Sequence, residues 1–168
     1  MASDPAKTIR VALDATVLFA GSGWPRWPYE VLRAGLRGDI HLVVSPFVIE
    51  QARRNIRRKF PEHLPRLEAF LSSVDWEVLP ESMLEDIKQN KGLVRDESDL
   101  PVVLPAIKAG VDCMVSEDKD LTAQDETTAL LRQKLTVLLS GTFLRQVMGW
   151  TSEQLEAIRY RNWSDLED

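Results

Sequence analysis

The sequence predicts an α/β fold in which helices pack against a mostly parallel sheet. Short β-branched apolar segments alternate along the chain with longer segments of helical periodicity. Proline, serine and glycine residues mark the ends of the helical segments, and no internal repeat or long linker divides the chain. With 168 residues, 44% of them hydrophobic, the chain is expected to form one globular domain without disulfides or a structural metal.

Five apolar segments are predicted to be strands. The first, at residues 9–13, ends at Asp14, and the second, at residues 40–44, ends at Ser45. Their length and their β-branched residues are typical of buried parallel strands. The other predicted strands are residues 76–79, 112–116 and 135–139.

The segments between the strands carry helix signals. Pro25 and Pro28 introduce a helix that Gly38 ends, and Ser45 and Pro46 start a second helix that runs to about residue 59. The remaining predicted helices are residues 63–74, 82–91, 100–109, 142–148 and 151–160, the last of which begins with a capping box.

Composition and charge exclude several classes of protein. The net charge of −5 argues against a protein that coats nucleic acid through its overall charge. Cys113, the only cysteine, lies in an apolar segment, which predicts a buried, reduced thiol in a cytoplasmic protein. The sequence shows neither an apolar segment of about 20 residues nor a signal peptide, so we expect neither secretion nor membrane insertion.

Four acidic residues are predicted to meet at one edge of the sheet. Asp14 follows the first strand, Asp118 follows the fourth strand, and Asp99 begins the helix before that strand. Glu50 lies about one turn into the helix after the second strand. Because ligands of parallel sheets bind outside the carboxyl ends of the strands, these side chains are expected to face one crevice.

A carboxylate cluster of this kind predicts a divalent cation. Like charges raise one another's pKa, and a hard cation with oxygen ligands relieves that repulsion. We therefore expect Mg²⁺ or Mn²⁺ on Asp14, Asp99 and Asp118, with no histidine nearby to favour zinc or iron. Taken singly, Asp99 also fits a helix N-cap and Asp118 a solvated turn, whereas Asp14 at the end of a buried strand needs a partner.

Several segments resemble the PIN domain family. They are VALDATVLF at residues 11–19, SPFVIE at 45–50, DLPVVLPAIKAGVDCMVSEDKDL at 99–121, and LLSGTFL at 138–144. The resemblance extends over about residues 9–145. It implies a three-layer fold with a five-stranded parallel sheet between helices, and a metal-dependent ribonuclease, often a VapC-like toxin.

The same resemblance implies site residues. The four acidic active-site positions of the family correspond to Asp14, Glu50, Asp99 and Asp118. Thr16 stands where the family usually has Asn, and Ser116 with Glu117 stands where it usually has Thr-Gly. The hydroxyl groups of Thr16 and Ser116 are expected to contact the substrate.

A row of arginines, here called the basic strip, follows Glu50 on the same predicted helix. It consists of Arg53, Arg54, Arg57 and Arg58. Phosphate contacts from these side chains would position a single-stranded RNA without reading its sequence. A solvated face, or a surface for an acidic antitoxin or a second subunit, is the alternative interpretation of the strip.

The sequence leaves two possible roles for each of five aromatic residues. Trp24 and Trp27, in a predicted loop at residues 21–28, fit either stacking on RNA bases or packing. Trp150, Tyr160 and Trp163 indicate a packed tail or a dimer contact.

The predicted organisation has three parts: a tail at residues 1–8, a PIN-like nuclease domain at 9–145, and a helical extension at 146–168 packed on that domain. The predicted function is cleavage of single-stranded RNA by the toxin of a toxin–antitoxin pair that forms a homodimer. The alternative function is a PIN-like scaffold that binds RNA or protein with little or no catalysis, which the residues at positions 16 and 117 keep open.

Overall fold

The computed structural model describes residues 8–166 of the chain and confirms the predicted α/β class. Five parallel strands form one sheet in the order β3-β2-β1-β4-β5. The strands are β1 (Arg10–Leu13), β2 (His41–Val44), β3 (Glu77–Val78), β4 (Cys113–Val115) and β5 (Val137–Leu138). Each lies inside a segment that the sequence predicts as a strand. The predicted N-terminal tail lies outside the described residues except for Thr8.

Ten α-helices occur within residues 8–166, and seven of them match predicted helices. They are α1 (Ala15–Gly23), α2 (Trp27–Arg37), α3 (Pro46–Lys59), α4 (Leu64–Ser73), α5 (Leu84–Gln89), α6 (Leu100–Ala109), α7 (Lys119–Thr122), α8 (Ala129–Lys134), α9 (Ser140–Gln146) and α10 (Ser152–Ala157). The usual right-handed crossovers place α1 to α4 on one face of the sheet and α5 to α8 on the other, giving three layers, and α9 packs against α2.

Helix α1 contradicts the predicted loop at residues 21–28, because its last three residues belong to that segment. Six of its nine residues are buried, so the segment has no polar face and lacks the amphipathic periodicity that reveals a surface helix. Gly21 allows close contact with α2, since a Cβ atom there would lie 2.5 Å from Leu32 Cδ1 and would displace that side chain. The short helices α7 and α8 also lie in segments without a predicted helix.

Several predicted helix ends are confirmed by their hydrogen bonds. Ser45 Oγ accepts the N–H of Val48 at 3.3 Å at the start of α3. Thr151 and Gln154 form both hydrogen bonds of the capping box before α10. At the other end of α6, Gly110 has a φ of +65°, a conformation that glycine adopts without strain.

The core lies on both faces of the sheet and includes the predicted buried thiol. Val11, Leu42 and Val115 in the three central strands are at most 1% exposed. Cys113 is also buried, and burial raises the pKa of its thiol to about 12. An uncharged thiol with this pKa is a poor nucleophile.

The chain after α9 packs across α1 and α2. The indole N–H of Trp163 donates to the Gly23 carbonyl at 2.9 Å, and that of Trp27 donates to the Leu155 carbonyl at 2.9 Å. Arg161 pairs with the buried carboxylate of Glu30 at 2.6 Å. Trp27 and Trp163 therefore have packing contacts, while the three-part division of the chain stays a prediction.

We expect Arg161→Ala to lower the free energy of unfolding by about 2–4 kcal/mol, because it leaves the buried Glu30 carboxylate without its closest cation. Urea unfolding followed by circular dichroism measures the change. Arg159→Ala is the control, since Arg159 pairs with Glu156 on the surface and its loss should cost less than about 1 kcal/mol. Equal losses in the two variants would contradict the role of the Arg161 pair.

Candidate metal centre

Two of the predicted ligands lie at the point of the sheet where the strand order reverses. Strands β1 and β4 are neighbours, and the chain connections leave them in opposite directions across the sheet. Asp14 directly follows β1, and its N–H donates to the Val115 carbonyl of β4 at 3.1 Å. Asp118 lies three residues after the end of β4. Crevices at such reversal points are where open parallel sheets bind their ligands.

The Asp14 carboxylate is buried and hydrogen-bonded on both oxygens. Its Oδ1 accepts the N–H of Ala15 at 2.7 Å, which caps α1. Its Oδ2 accepts the hydroxyl groups of Ser116 at 2.6 Å and Thr16 at 2.9 Å. The partner that a carboxylate needs at the end of a buried strand is therefore a pair of hydroxyl groups.

The same two hydroxyl groups hold the loop that follows β4. Ser116 Oγ accepts the N–H of Asp118 at 3.0 Å, and Thr16 Oγ1 accepts the N–H of Glu117 at 2.9 Å. Thr16 and Ser116, predicted to bind substrate, are thus engaged with Asp14 and with the loop. In this arrangement they position the two aspartates.

The surroundings of the Asp99 carboxylate disfavour its charged form. Burial and the charges of neighbouring carboxylates raise its pKa from the usual 3.8 to about 7. In decreasing order of effect, the neighbouring carboxylates are Asp118, Asp14, Asp96 and Asp120. Burial also raises the pKa of Asp14, and hydrogen bonds from Ser116, Thr16 and Ala15 oppose that rise. Four carboxylates therefore act electrostatically on Asp99.

The most compact group of ligand atoms differs from the predicted one. Asp96, Asp99 and Asp120 each offer an oxygen atom, and the three atoms lie within 4.8 Å of one another. Asp14 and Asp118 lie outside this group, yet close enough to raise the pKa of Asp99. Asp96, three residues before Asp99, is not among the predicted site residues. Asp120 lies two residues after Asp118, in the segment that also fits a solvated turn.

The carboxylate cluster fits a hard divalent cation. Asp99 Oδ2 is fully buried and has no hydrogen-bond partner among residues 8–166. Its side chain also makes no capping hydrogen bond to α6, so the N-cap interpretation does not account for this carboxylate. An orphaned, buried oxygen among mutually repelling carboxylates is an arrangement that Mg²⁺ or Mn²⁺ would satisfy with oxygen ligands.

Glu50 is not among the carboxylates that raise the pKa of Asp99 or Asp14 in the described structure. Its side chain is 65% exposed, and Oε1 accepts a hydrogen bond from Arg53 at 2.6 Å. Arg53 also donates two hydrogen bonds to Glu68 on α4, at 2.6 and 3.0 Å. Glu50 and Arg53 are thus engaged with each other and with a neighbouring helix.

The remaining three arginines of the basic strip, Arg54, Arg57 and Arg58, are exposed on α3. Both histidines have contacts outside the aspartate cluster: His41 contacts Glu77 at 3.2 Å, and His63 lies against the rings of Trp24 and Phe60. The cluster in the described chain thus consists of oxygen donors, as the sequence predicts. Trp24 also makes an edge-to-face contact with Phe60 at a ring distance of 5.4 Å, which gives this tryptophan a packing role.

Comparison with known proteins shows the fold. No protein-family model matches the chain, and no curated protein matches it. The crystal structure of PAE2754 from Pyrobaculum aerophilum is similar, with a TM-score of 0.54 and 16% identity over 82% of this chain and 88% of that chain. A chain of VapBC2 from Rickettsia felis, bound to a DNA fragment from their promoter, has a TM-score of 0.52 and 16% identity over 77% and 97%.

These likenesses, together with the five-stranded parallel sheet, confirm the PIN-like fold that the sequence resemblance implies. At 16% identity these likenesses show the fold alone. Within the described residues, no helix has both the length and the apolar content that crossing a membrane requires.

We expect Asp99→Asn to stabilise the protein in the absence of divalent cations. The pKa of Asp99 is about 7 in the folded chain and 3.8 ordinarily, so the folded state holds the proton more tightly. Stability should therefore fall as pH rises from about 4 to about 7 and stay low above that. Asn removes this penalty, which should raise the free energy of unfolding at pH 8 by about 2 kcal/mol, roughly half of what the full pKa difference would give, because water partly screens this half-buried side chain.

Urea unfolding in a chelator at pH 5 and pH 8 measures this effect. The gain should be larger at pH 8 than at pH 5, because the wild-type carboxylate is mostly protonated at the lower pH. Asp75→Asn, at an exposed aspartate, should change stability equally little at both values. A gain that is absent or independent of pH would show that Asp99 does not carry the repulsion.

Proposed function

We propose that this chain is a Mg²⁺- or Mn²⁺-dependent endoribonuclease that cleaves single-stranded RNA as the toxin of a toxin–antitoxin pair. The observation that carries the proposal is the set of carboxylates around the orphaned oxygen of Asp99, at the reversal point of a PIN-like sheet. The likeness to a chain of VapBC2 supports the toxin–antitoxin assignment.

The carboxylates would hold the cation, with Asp99 at the centre of the cluster. The resemblance to the PIN domain family implies that Asp14 and Asp118 are ligands, and Asp96 and Asp120 offer further oxygen atoms beside Asp99. A bound divalent cation supplies charge neutralisation at the scissile phosphate and a water molecule of lowered pKa.

The protein's own contribution is positioning. Ser116 and Thr16 hold the Asp14 carboxylate in one orientation, and the same hydroxyl groups fix the backbone of the loop that carries Asp118. Such preorganisation matters because ligand positions must hold within fractions of an ångström for efficient catalysis. Glu50 would orient a water molecule at this centre only after its ion pair with Arg53 opens.

The RNA would be held mainly by the exposed part of the basic strip. The acidic centre repels phosphates in the absence of a cation, so attraction must come from another surface. Arg54, Arg57 and Arg58 are exposed, while Arg53 is already bound by Glu50 and Glu68. An acidic antitoxin or the second subunit of a homodimer would use the same surface if it does not bind RNA.

A PIN-like scaffold without catalysis is the second candidate function. The observation in its favour is Glu117, which places a further carboxylate next to Asp118. Glu117 Oε1 accepts the N–H of Ser140 at 2.8 Å, so this carboxylate is tied to the start of α9. Cleavage assays distinguish the two candidates directly.

We expect Asp14→Asn and Asp99→Asn each to reduce cleavage of single-stranded RNA by at least about 100-fold, because each removes a charged ligand. A chelator should stop the wild type, and added Mn²⁺ should restore it. Asp75→Asn is the matched control and should cleave like the wild type, since Asp75 is exposed and outside the cluster.

Thermal melting in a Mg²⁺ series provides a readout independent of activity. The cation should raise the melting temperature of the wild type and not that of Asp99→Asn, because ligands stabilise only the state that binds them. A wild type that melts at the same temperature at every Mg²⁺ concentration and leaves RNA intact would favour the scaffold function.

The contribution of the basic strip is tested by Arg54→Gln, Arg57→Gln and Arg58→Gln in one variant. RNA affinity should fall, and the slope of log affinity against log salt should flatten by about 2, because three fewer cations displace counterions. Helix propensity changes little from Arg to Gln, so α3 should stay intact.

The control for this variant is Lys88→Gln, Lys91→Gln and Lys134→Gln, at three exposed lysines elsewhere on the surface. Both triple variants change the net charge from −5 to −8, so a general charge effect would weaken RNA binding equally in both. Unchanged RNA binding combined with loss of self-association would assign the strip to a protein interface.

A further inference from the structure

A cavity of about 270 Å³ lies between α2, α9 and α10 and reaches the loop after β4 at Glu117. Its apolar lining comes from Trp27, Leu139 and Leu155, and Leu139 is 41% exposed. Glu117 and Arg145 also line it, and Glu117 immediately precedes Asp118 in the chain. The cavity therefore has apolar walls and a charged margin, and one of its lining residues is the chain neighbour of Asp118.

The carboxylate of Glu117 has unused hydrogen-bonding capacity. Oε1 accepts one hydrogen bond, from the N–H of Ser140, and within residues 8–166 no other donor reaches this carboxylate. A carboxylate offers about four lone-pair positions on its two oxygens. Glu117 is thus oriented by the protein while it keeps free acceptor positions.

We propose that this cavity, here called the Glu117 pocket, binds an unpaired guanine base of the RNA beside the phosphate that is cleaved. The inference rests on the proposed ribonuclease function and adds a base preference to it. Its starting point is the combination of an apolar cavity with a fixed, incompletely bonded carboxylate next to Asp118.

Guanine is the RNA base whose hydrogen-bonding edge fits a carboxylate best. Its N1–H and exocyclic N2–H groups are adjacent donors that can bind the two oxygens of one carboxylate. Adenine and cytosine place a ring-nitrogen acceptor beside their amino group, and uracil places carbonyl oxygens on both sides of its N3–H. Hydrogen bonds to a charged acceptor are also about twice as strong as neutral ones, which sharpens the preference.

The apolar walls and the arginine suit the rest of a nucleotide. Proteins that recognise single-stranded RNA insert unstacked bases among aromatic and apolar side chains and read their edges by hydrogen bonds. Trp27, Leu139 and Leu155 provide such walls. Arg145 is exposed at the margin, where its charge can contact a phosphate of the same strand.

Several contacts hold the pocket in shape. The indole N–H of Trp27 is bonded to the Leu155 carbonyl, and Gly141 packs so closely that a Cβ atom would lie 2.9 Å from the indole ring. The N–H of Glu117 is bonded to Thr16 Oγ1, the hydroxyl that also orients Asp14. A preformed pocket loses little conformational entropy on binding, which favours selectivity at a single base.

The test compares the binding of four heptaribonucleotides in Ca²⁺, used to hold back cleavage: heptauridylate, and the same oligomer with one central G, A or C. Fluorescence anisotropy measures the dissociation constants. We expect the wild type to bind the G oligomer about tenfold more tightly than heptauridylate. Glu117→Gln should bring this ratio close to one, because an amide no longer offers two acceptor oxygens.

Two further variants keep the result interpretable. Glu126→Gln, at an exposed glutamate outside the pocket, makes the same charge change and should keep the wild-type ratio. Leu139→Asn removes an apolar wall at an exposed position and should also lower the ratio. It provides the test if Glu117→Gln melts at a much lower temperature than the wild type.

A wild type that binds all four oligomers equally, or a ratio that survives both pocket variants, would overturn the inference. A preference for adenine or cytosine would also overturn it. Cleavage of the same oligomers in Mg²⁺ tests the nuclease separately. Cleavage without any preference for guanine would support the proposed function and contradict guanine binding in the Glu117 pocket. A protein that binds none of the oligomers would contradict both.

Discussion

The buried carboxylate of Asp14 is the constraint around which this end of the molecule is built. It terminates the central strand β1, caps α1 through the N–H of Ala15, and receives the hydroxyl groups of Ser116 and Thr16. A carboxylate removed from water is costly unless it is hydrogen-bonded, so these partners are required for the fold. Because both hydroxyl groups also hold the loop after β4, satisfying Asp14 determines where Asp118 lies.

The same end of the molecule also destabilises the charged form of Asp99. Hydrogen bonds partly compensate the burial of Asp14, whereas Asp99 Oδ2 has no hydrogen-bond partner within the described chain, and four carboxylates act on it. The fold thus concentrates like charges where a parallel sheet reverses its strand order. A divalent cation would convert this repulsion into binding energy, so the instability of the cation-free centre and its proposed function have one physical origin.

The arginines of the basic strip differ in their contacts. Arg53 joins α3 to α4 through Glu68 and holds Glu50 on its own helix, so two predicted site residues are committed to an ion-pair network. The other arginines of the strip are exposed. In the Glu117 pocket, one oxygen of Glu117 accepts the N–H of Ser140, and the carboxylate keeps free acceptor positions.

Within residues 8–166, the sequence alone determined the fold class, the position of every strand and seven of the helices. It also predicted that Asp14, Asp99 and Asp118 lie near one edge of the sheet. These features follow from periodicity and strand ends, which are local properties of the chain. The sequence did not reveal α1, which is buried too completely to show an amphipathic pattern. Tertiary structure alone decided that Asp96 and Asp120 join Asp99, that Arg53 bonds Glu68, and that Trp27 and Leu155 form one pocket with Glu117. These contacts join residues from separate segments of the chain. Their side chains can interact only after the sheet has placed the loops and helices side by side.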